Sequence, residues 1–495
     1  MNRALKRLSV AILVMFLLLL INVNYLQGVE PSSLANEAGN SRAFYAQFQY
    51  QRGSIITSDG VTMAASKPSA AGDPIKWQRY YTDGPVYAPV TGFDSLYSST
   101  GIEQYENSYL TGNSASQTIR NFIDLITGKQ QRGANVTVTI NSAAQQAAYA
   151  GLEKVLGGTG RVGAAVAIDP STGAILAMAS YPSYNPNLLT THNGDTLVAN
   201  DNALLKAPGN PLLNHAISYT GPPGSTFKIV TSSAYFNSSS ANNPSSMVDS
   251  PTVLPLPQTS NTLTNNDGET CGSGSGQTTV LYAFAQSCDT TFGKLGITLG
   301  ANTLNSVAEA FGMNSSTLTI PMPVTSSNYV IPASEALTAY SAIGQYDDTV
   351  SALQEAMFSA AIANHGELMK PYLVQSVTAS DLSTLYTASP SVLSQAVSGT
   401  VAGYVDQMMQ AVTQSPEGTA SLYNTAATGQ CIAAKTGTAQ NGTTLDDAVF
   451  TSFAPCANPT IAVGVIIQGG GYGATAAAPV AVDVIQAYLK ALGTK

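Results

Sequence analysis

Arg3, Lys6 and Arg7 stand directly before LSVAILVMFLLLLINV, an apolar run from Leu8 to Val23 that reaches Leu26 if Asn22 and Asn24 lie near an interface. A run of this length can cross a hydrocarbon core, and in lipid it satisfies its backbone as a helix. Cations precede it, and Glu30 and Glu37 follow it. That asymmetry places residues 1–7 in the cytoplasm and everything after the helix outside. A cleaved signal peptide is the competing reading. The run is long for one, however, and no A-x-A-like site follows it, so a retained anchor over residues 8–26 is expected.

The rest of the chain suits an extracytoplasmic location. Of 495 residues only 10% are charged, and the formal charge is −9. No Lys/Arg run is present to displace counterions from phosphates, which argues against a nucleic-acid partner. His192, His215 and His365 are far apart in no ligand-like spacing, so no metal site is expected. Cys271, Cys288, Cys431 and Cys456 all fall where disulfides are permitted. Three connectivities are open. Cys431 and Cys456 bracket two strand-like runs joined by a polar turn, which favours that pair and leaves Cys271 with Cys288; four buried free thiols are the alternative.

The length calls for two folded parts. Residues 28–135 lack long helical periodicity and carry short strand-like pieces such as GSIITSDGVTMAAS, which reads as a β-rich pedestal. From residue 136 onward a second domain is expected. VTVTI alternates as its first strand, AAQQAAYAGLEKVL has helical spacing, and RVGAAVAIDPSTGAILAMAS reads as a hairpin around Asp169-Pro170-Ser171-Thr172-Gly173. FKIVTSSAYF, LYAFAQSCDTTFGKLGITLG and ALTAYSAIGQ are helical segments, and CIAAKTGTAQ, AVFTSFAP and IAVGVIIQGG are strands before a last helix. Segments 237–278 and 315–330 read as loops. Strands at both ends with helices between predict one antiparallel sheet flanked by helices, an α/β (α+β) fold.

Within GPPGSTFKIV, Ser225 and Lys228 are three positions apart, the spacing that brings two side chains together on a helix face. Lys228 is the only one of twelve lysines with a serine three positions before it. A serine hydroxyl needs a base, and no G-x-S-x-G elbow or histidine partner supplies one. A desolvated lysine can accept that proton, and backbone N–H groups at a helix start can hold an oxyanion. Alone, the pattern is weak, a solvated helix-face lysine being the bland alternative. Two further stretches accompany it: Ser287-Cys288-Asp289 in the helical middle, and Lys435-Thr436-Gly437-Thr438 in a strand. In the latter, a glycine lets a substrate chain approach and a lysine with two hydroxyls can bind a carboxylate.

An S-x-x-K, an S-x-[N/D] and a K-T-G in this order resemble the penicillin-binding proteins. The chain is most similar to the class B transpeptidases of the actinobacterial penicillin-binding protein A group. Asn40-Ser41-Arg42, Arg52-Gly53, GIEQYENSYLTG, AIDPSTGAILAMASYPSYNPN, PLLNHAISYTGPPGSTFK and LQEAMFSAAIANHGELMKP add to the resemblance. The likeness implies a five-stranded antiparallel sheet behind a non-catalytic pedestal, with Ser225 as nucleophile and Lys228 as its base. Ser287 would relay a proton to the departing amine, Lys435 would keep the site cationic, and Thr436 and Thr438 would bind the substrate carboxylate beside Gly437. The N–H groups of Ser225 and Thr438 would form the oxyanion hole.

The reaction so implied is D,D-transpeptidation of peptidoglycan stem peptides ending in D-Ala-D-Ala, with β-lactams as covalent inhibitors and no cofactor. A pedestal of about a hundred residues is too short for a glycosyltransferase module, so a membrane glycosyltransferase partner is expected. Two rival readings are a D,D-carboxypeptidase or β-lactam-hydrolysing enzyme and a non-catalytic sensor or scaffold. Asp289 departs from the commoner asparagine. A carboxylate there only accepts hydrogen bonds, and it would favour the ammonium form of Lys228.

Overall fold

The structure, a computed structural model, describes residues 3–28, 48–114, 117, 132–442 and 445–493. The Asn40-Ser41-Arg42 stretch lies outside the described residues. Helix α1 (Arg3–Gly28) contains the whole apolar run. Its segment Leu5–Tyr25 is long and apolar enough to cross a membrane, and it is not buried among the described residues.

In the pedestal, β1 (Ile55–Ile56), β2 (Thr62–Pro68) and β3 (Trp77–Tyr81) form one side of a six-stranded sheet. VTVTI does form a strand, β4 (Asn135–Val138), with Val136 and Val138 buried as its alternation requires. Yet β4 belongs to the pedestal sheet. It runs parallel to β1 and antiparallel to Val374–Thr378, which in turn pairs with Thr384–Thr387. The expected division at residue 135 therefore runs through a sheet that both halves of the chain build. Both edges of β4 find partners only if the later segment returns to it, a pairing that local alternation cannot reveal.

A buried ion cluster locks the pedestal. Glu103, wholly buried, takes the Nε–H of Arg52 on one carboxylate oxygen and the Nε–H of Arg79 on the other at 2.6 Å. Tyr81 donates its hydroxyl to the same carboxylate at 2.9 Å. Burial alone would raise the Glu103 carboxyl, but Arg79 and Arg52 more than offset it and hold the group below the usual range.

The second sheet comprises β5 (Gly163–Ile168), β6 (Ile175–Tyr181), β7 (Ala433–Ala439), β8 (Asp447–Ala454) and β9 (Ile461–Ile467). Its order is β7-β8-β9-β5-β6 and every pairing is antiparallel, so N- and C-terminal pieces close one sheet as expected. Helices α2 (Ser142–Leu156) and α8 (Gly473–Ala491) cover one face. Before α8 comes the middle of the chain: α3 (Lys228–Ser238), α4 (Val280–Ala285), α5 (Asp289–Leu299), α6 (Ala352–Ala363) and α7 (Gly399–Gln414). Helix α6 is buried along its full length against the other face of the sheet. It approaches β9 closely because Gly464 has no side chain: a Cβ there would lie 2.3 Å from the Ala356 nitrogen.

Segment 237–278 is not all loop. Met247–Asp249 pairs with Gln277–Thr279, and Val253–Pro255 with Thr262–Thr264, each strand burying a single central side chain. Such three-residue strands in a Ser/Thr-rich stretch leave little periodicity to read. Cys271 pairs with Cys288 and Cys431 with Cys456, the Cα atoms 6.0 and 5.4 Å apart.

Candidate active site

Edge strand β7 faces a tight turn that carries Ser225. Gly224–Phe227 is a 3₁₀ turn leading into α3, which starts at Lys228, one turn later than the sequence implied. The turn is wedged from two sides. Gly224 adopts φ 54°, and a Cβ there would meet the Thr438 carbonyl at 2.7 Å; Gly344 adopts φ 72°, and its Cβ would lie 2.2 Å from the Gly224 oxygen. Only glycine fits either place without strain.

The three-residue spacing does its work across this junction. Lys228 is fully buried, with its Nζ 3.0 Å from Ser225 Oγ. The same nitrogen lies 2.6 Å from Asp289 Oδ1, 2.7 Å from the Ser287 carbonyl and 3.1 Å from Ser287 Oγ. Ser287, between α4 and α5, has φ 63°, a left-handed conformation uncommon for a side-chain-bearing residue. That local geometry turns both its carbonyl and its hydroxyl to Lys228. On its other side Ser287 Oγ accepts a hydrogen bond from Lys435 Nζ at 2.8 Å. One hydroxyl thus bridges two buried lysines.

Four sequence-predicted residues, Ser225, Lys228, Ser287 and Lys435, therefore form one connected chain, with Asp289 joined to it. Burial pushes Lys228 below the ordinary lysine range, and Asp289 opposes this without cancelling it. Lys435 is pushed well below that range, first by burial and then by the charge of Lys228. Keeping the site cationic through Lys435 thus meets two opposing effects, and Lys228 beside Asp289 is the better holder of a positive charge. Phe292 and Phe284 lie beneath the two ammonium positions, at 5.5 and 5.6 Å.

The K-T-G strand presents its outer edge to the Ser225 turn. The Thr438 carbonyl accepts a hydrogen bond from Gln345 Nε2 at 2.9 Å, so it points away from β8. Since the N–H and C=O of one residue in an antiparallel strand point to the same side, the Thr438 N–H also faces the Ser225 turn. Gly437 makes the approach possible, because a Cβ there would sit 2.7 Å from the Pro223 carbonyl. Thr436 Oγ1 is 2.7 Å from Thr419 Oγ1.

Thr419, Gly344, Gln345 and Glu355 are neighbours of the site that sequence reasoning missed. Glu355 lies in the block LQEAMFSAAIANHGELMKP and Gly344 and Gln345 end ALTAYSAIGQ, but neither stretch marks these residues as site neighbours, and the fold brings them here. Among the described residues no cluster of His, Cys, Asp and Glu could hold a metal ion.

An antiparallel sheet whose edge strand carries K-T-G, set against a Ser-x-x-K turn and a bridging Ser-x-Asp, is the architecture of a serine acyltransferase. The chain belongs to the penicillin-binding protein transpeptidase family: residues 163–486 match the penicillin-binding protein transpeptidase domain, and residues 52–136 match the penicillin-binding protein A dimerisation domain. It is 39% identical over 99% of both chains to the peptidoglycan D,D-transpeptidase PbpA of Mycolicibacterium smegmatis. To the protein of the same name from Mycobacterium tuberculosis it is 38% identical, again over 99% of each. Among solved structures, the ceftriaxone acyl-enzyme complex of penicillin-binding protein A from M. tuberculosis superposes with a TM-score of 0.84 at 36% identity, covering 90% of this chain and all of that one. The penicillin G acyl-enzyme complex of that protein gives 0.82 at 37%, over 89% of this chain and all of the other.

Proposed function

We infer that this protein is a peptidoglycan D,D-transpeptidase that cross-links stem peptides through an acyl-serine and is acylated by β-lactams. The observation that carries this reading is the chain of contacts from Ser225 Oγ through Lys228 and Ser287 to Lys435, with spacings of 3.0, 3.1 and 2.8 Å. Full-length similarity to proteins named as D,D-transpeptidases supports it.

Ser225 Oγ attacks the carbonyl carbon of the penultimate D-Ala of the donor stem. Its proton passes to the neutral amine of Lys228, and the developing oxyanion is held by the N–H groups of Ser225 and Thr438. The C–N bond then breaks. The proton returns through Lys228 and Ser287 to the nitrogen of the departing D-Ala, leaving a Ser225 ester. An acceptor amine attacks this ester and gives up one N–H proton to the neutral amine of Lys228, the Ser225 C–O bond breaks, and Ser225 takes that proton back from Lys228.

Substrate arrival resolves the contest between the lysines. The terminal carboxylate of the donor, bound by Thr436 and Thr438 beside Gly437, favours an ammonium on Lys435. A proton moving from Lys228 to Lys435 through Ser287 Oγ frees Lys228 to act as base, so the enzyme is activated by the anion it binds.

Residues 8–26 anchor the chain with residues 1–7 in the cytoplasm, residues 28–135 together with the rest of β4 and the returning strands at 374–387 form the pedestal, and the remainder up to residue 495 is the catalytic domain. Glycan polymerisation falls to a membrane glycosyltransferase partner. Incubating the protein with a D-Ala-D-Ala stem peptide and a second stem bearing a free amine tests the activity. Cross-linked dimer with equimolar D-Ala supports it; shortened monomer alone would mark a carboxypeptidase.

A further inference from the structure

Directly after the nucleophile, Thr226 presents a hydroxyl with two partners and one proton. Its Oγ1 lies 2.9 Å from the Pro223 carbonyl and 2.8 Å from Oε1 of Glu355, a wholly buried residue of α6. A peptide carbonyl only accepts, and so does an ionised carboxylate. If Glu355 were ionised, two acceptors would compete for the single Thr226 proton. No ion pair among the described residues includes Glu355, and its second oxygen, Oε2, is buried with no partner. Both Thr226 contacts are satisfied if the acid keeps its proton: Glu355 donates to Thr226 Oγ1, and Thr226 donates to the Pro223 carbonyl.

We propose that Glu355 is a positioning residue that stands as a neutral carboxylic acid and, by donating its proton to Thr226, fixes the turn carrying Ser225 against the K-T-G strand. The link to the strand is direct, because the Pro223 carbonyl at the end of this relay lies where a Cβ of Gly437 would be, 2.7 Å away. The glutamate is itself rigidly held. Its carbonyl accepts the Thr451 hydroxyl of β8, and Gly464 of β9 leaves room for its Cβ.

Burial raises the Glu355 carboxyl to about 8, and the Thr226 hydroxyl, where it donates to the carboxylate, opposes this without cancelling it. The titratable groups on the elements packed against α6 are His215, Glu367, Tyr404, Asp406 and Asp447, and none of them is a source of this shift. The proton is therefore present at neutral pH and lost as pH rises through about 8.

This inference rests on Ser225 being the acylated residue, and its test has a readout independent of activity. The infrared difference spectrum between the intact wild-type chain and Glu355→Gln, recorded at neutral pH, is expected to contain the carbonyl stretch of a protonated carboxylic acid that fades with rising pH. Glu355→Gln, a neutral donor of the same shape, is expected to fold and to react with a fluorescent penicillin within about threefold of the wild-type rate. Glu355→Leu, which offers no donor, is expected to react about 10- to 100-fold more slowly. Absence of the protonated-acid band would overturn the proposal, as would a Glu355→Gln protein that fails to fold or reacts as slowly as Glu355→Leu.

Discussion

Lys228 and Asp289 form an ion pair at 2.6 Å, with the lysine fully buried and the aspartate side chain about one-fifth exposed at 22%. The aspartate therefore biases Lys228, whose amine hydrogen-bonds Ser225, toward its charged form, against the burial that favours the neutral one.

Asp289→Asn removes that bias. Without the carboxylate the Lys228 ammonium is less favoured, so its pKa falls and the neutral base exists at lower pH. The rising limb of acylation rate against pH is expected to move down by about one to two pH units, the effect of one close opposite charge. Stopped-flow measurement with a fluorescent penicillin checks this. An unmoved or upward-shifted limb would show that Lys228 does not titrate in the acylation step.

Glu103→Gln leaves Arg52 and Arg79 in the pedestal interior without their shared counter-charge. Breaking such a buried cluster costs about 3–5 kcal/mol, which thermal denaturation would register as a large drop in Tm. The acid side supplies a second check. Glu103 is held below its ordinary value of 4.5, so its contribution is complete above that value and disappears as pH falls through the lowered one. The gap in Tm between wild type and variant is expected to narrow as pH is lowered from about 7 to about 3.

Gly344→Ala tests the wedge behind the Ser225 turn. A Cβ at φ 72° and 2.2 Å from the Gly224 oxygen must displace the Ser225 turn or its own loop. The strain is about 1–3 kcal/mol, and a displaced nucleophile loses about 100-fold in acylation rate. A variant that labels at the wild-type rate would mean the turn is not held from that side.

How much of this could be read from the residues follows from the distance over which each pattern acts. Ser225 and Lys228 are three residues apart, and the strand around Lys435 alternates within a short window, so local spacing exposed both. The antiparallel sheet was legible because strands cluster at the two ends of the catalytic region. The partners of β4 were not, since Val374–Thr378 joins it from more than two hundred residues away. Ser287 was found as a motif member, but its φ of 63°, which lets it bridge both lysines, has no sequence marker. Glu355 lies within an apolar helical run, where one acid reads as an exposed position; only the packing of α6 under the sheet buries it.

The central claim is that Ser225 is the residue that becomes acylated, and intact-protein mass spectrometry after penicillin treatment, followed by peptide mapping, tests it most directly. The wild-type chain is expected to gain the mass of a single penicillin, mapped to the peptide containing GPPGSTFK, and Ser225→Ala is expected to gain none. Equal labelling of Ser225→Ala, an adduct on another residue, or no adduct on the wild type would contradict the account.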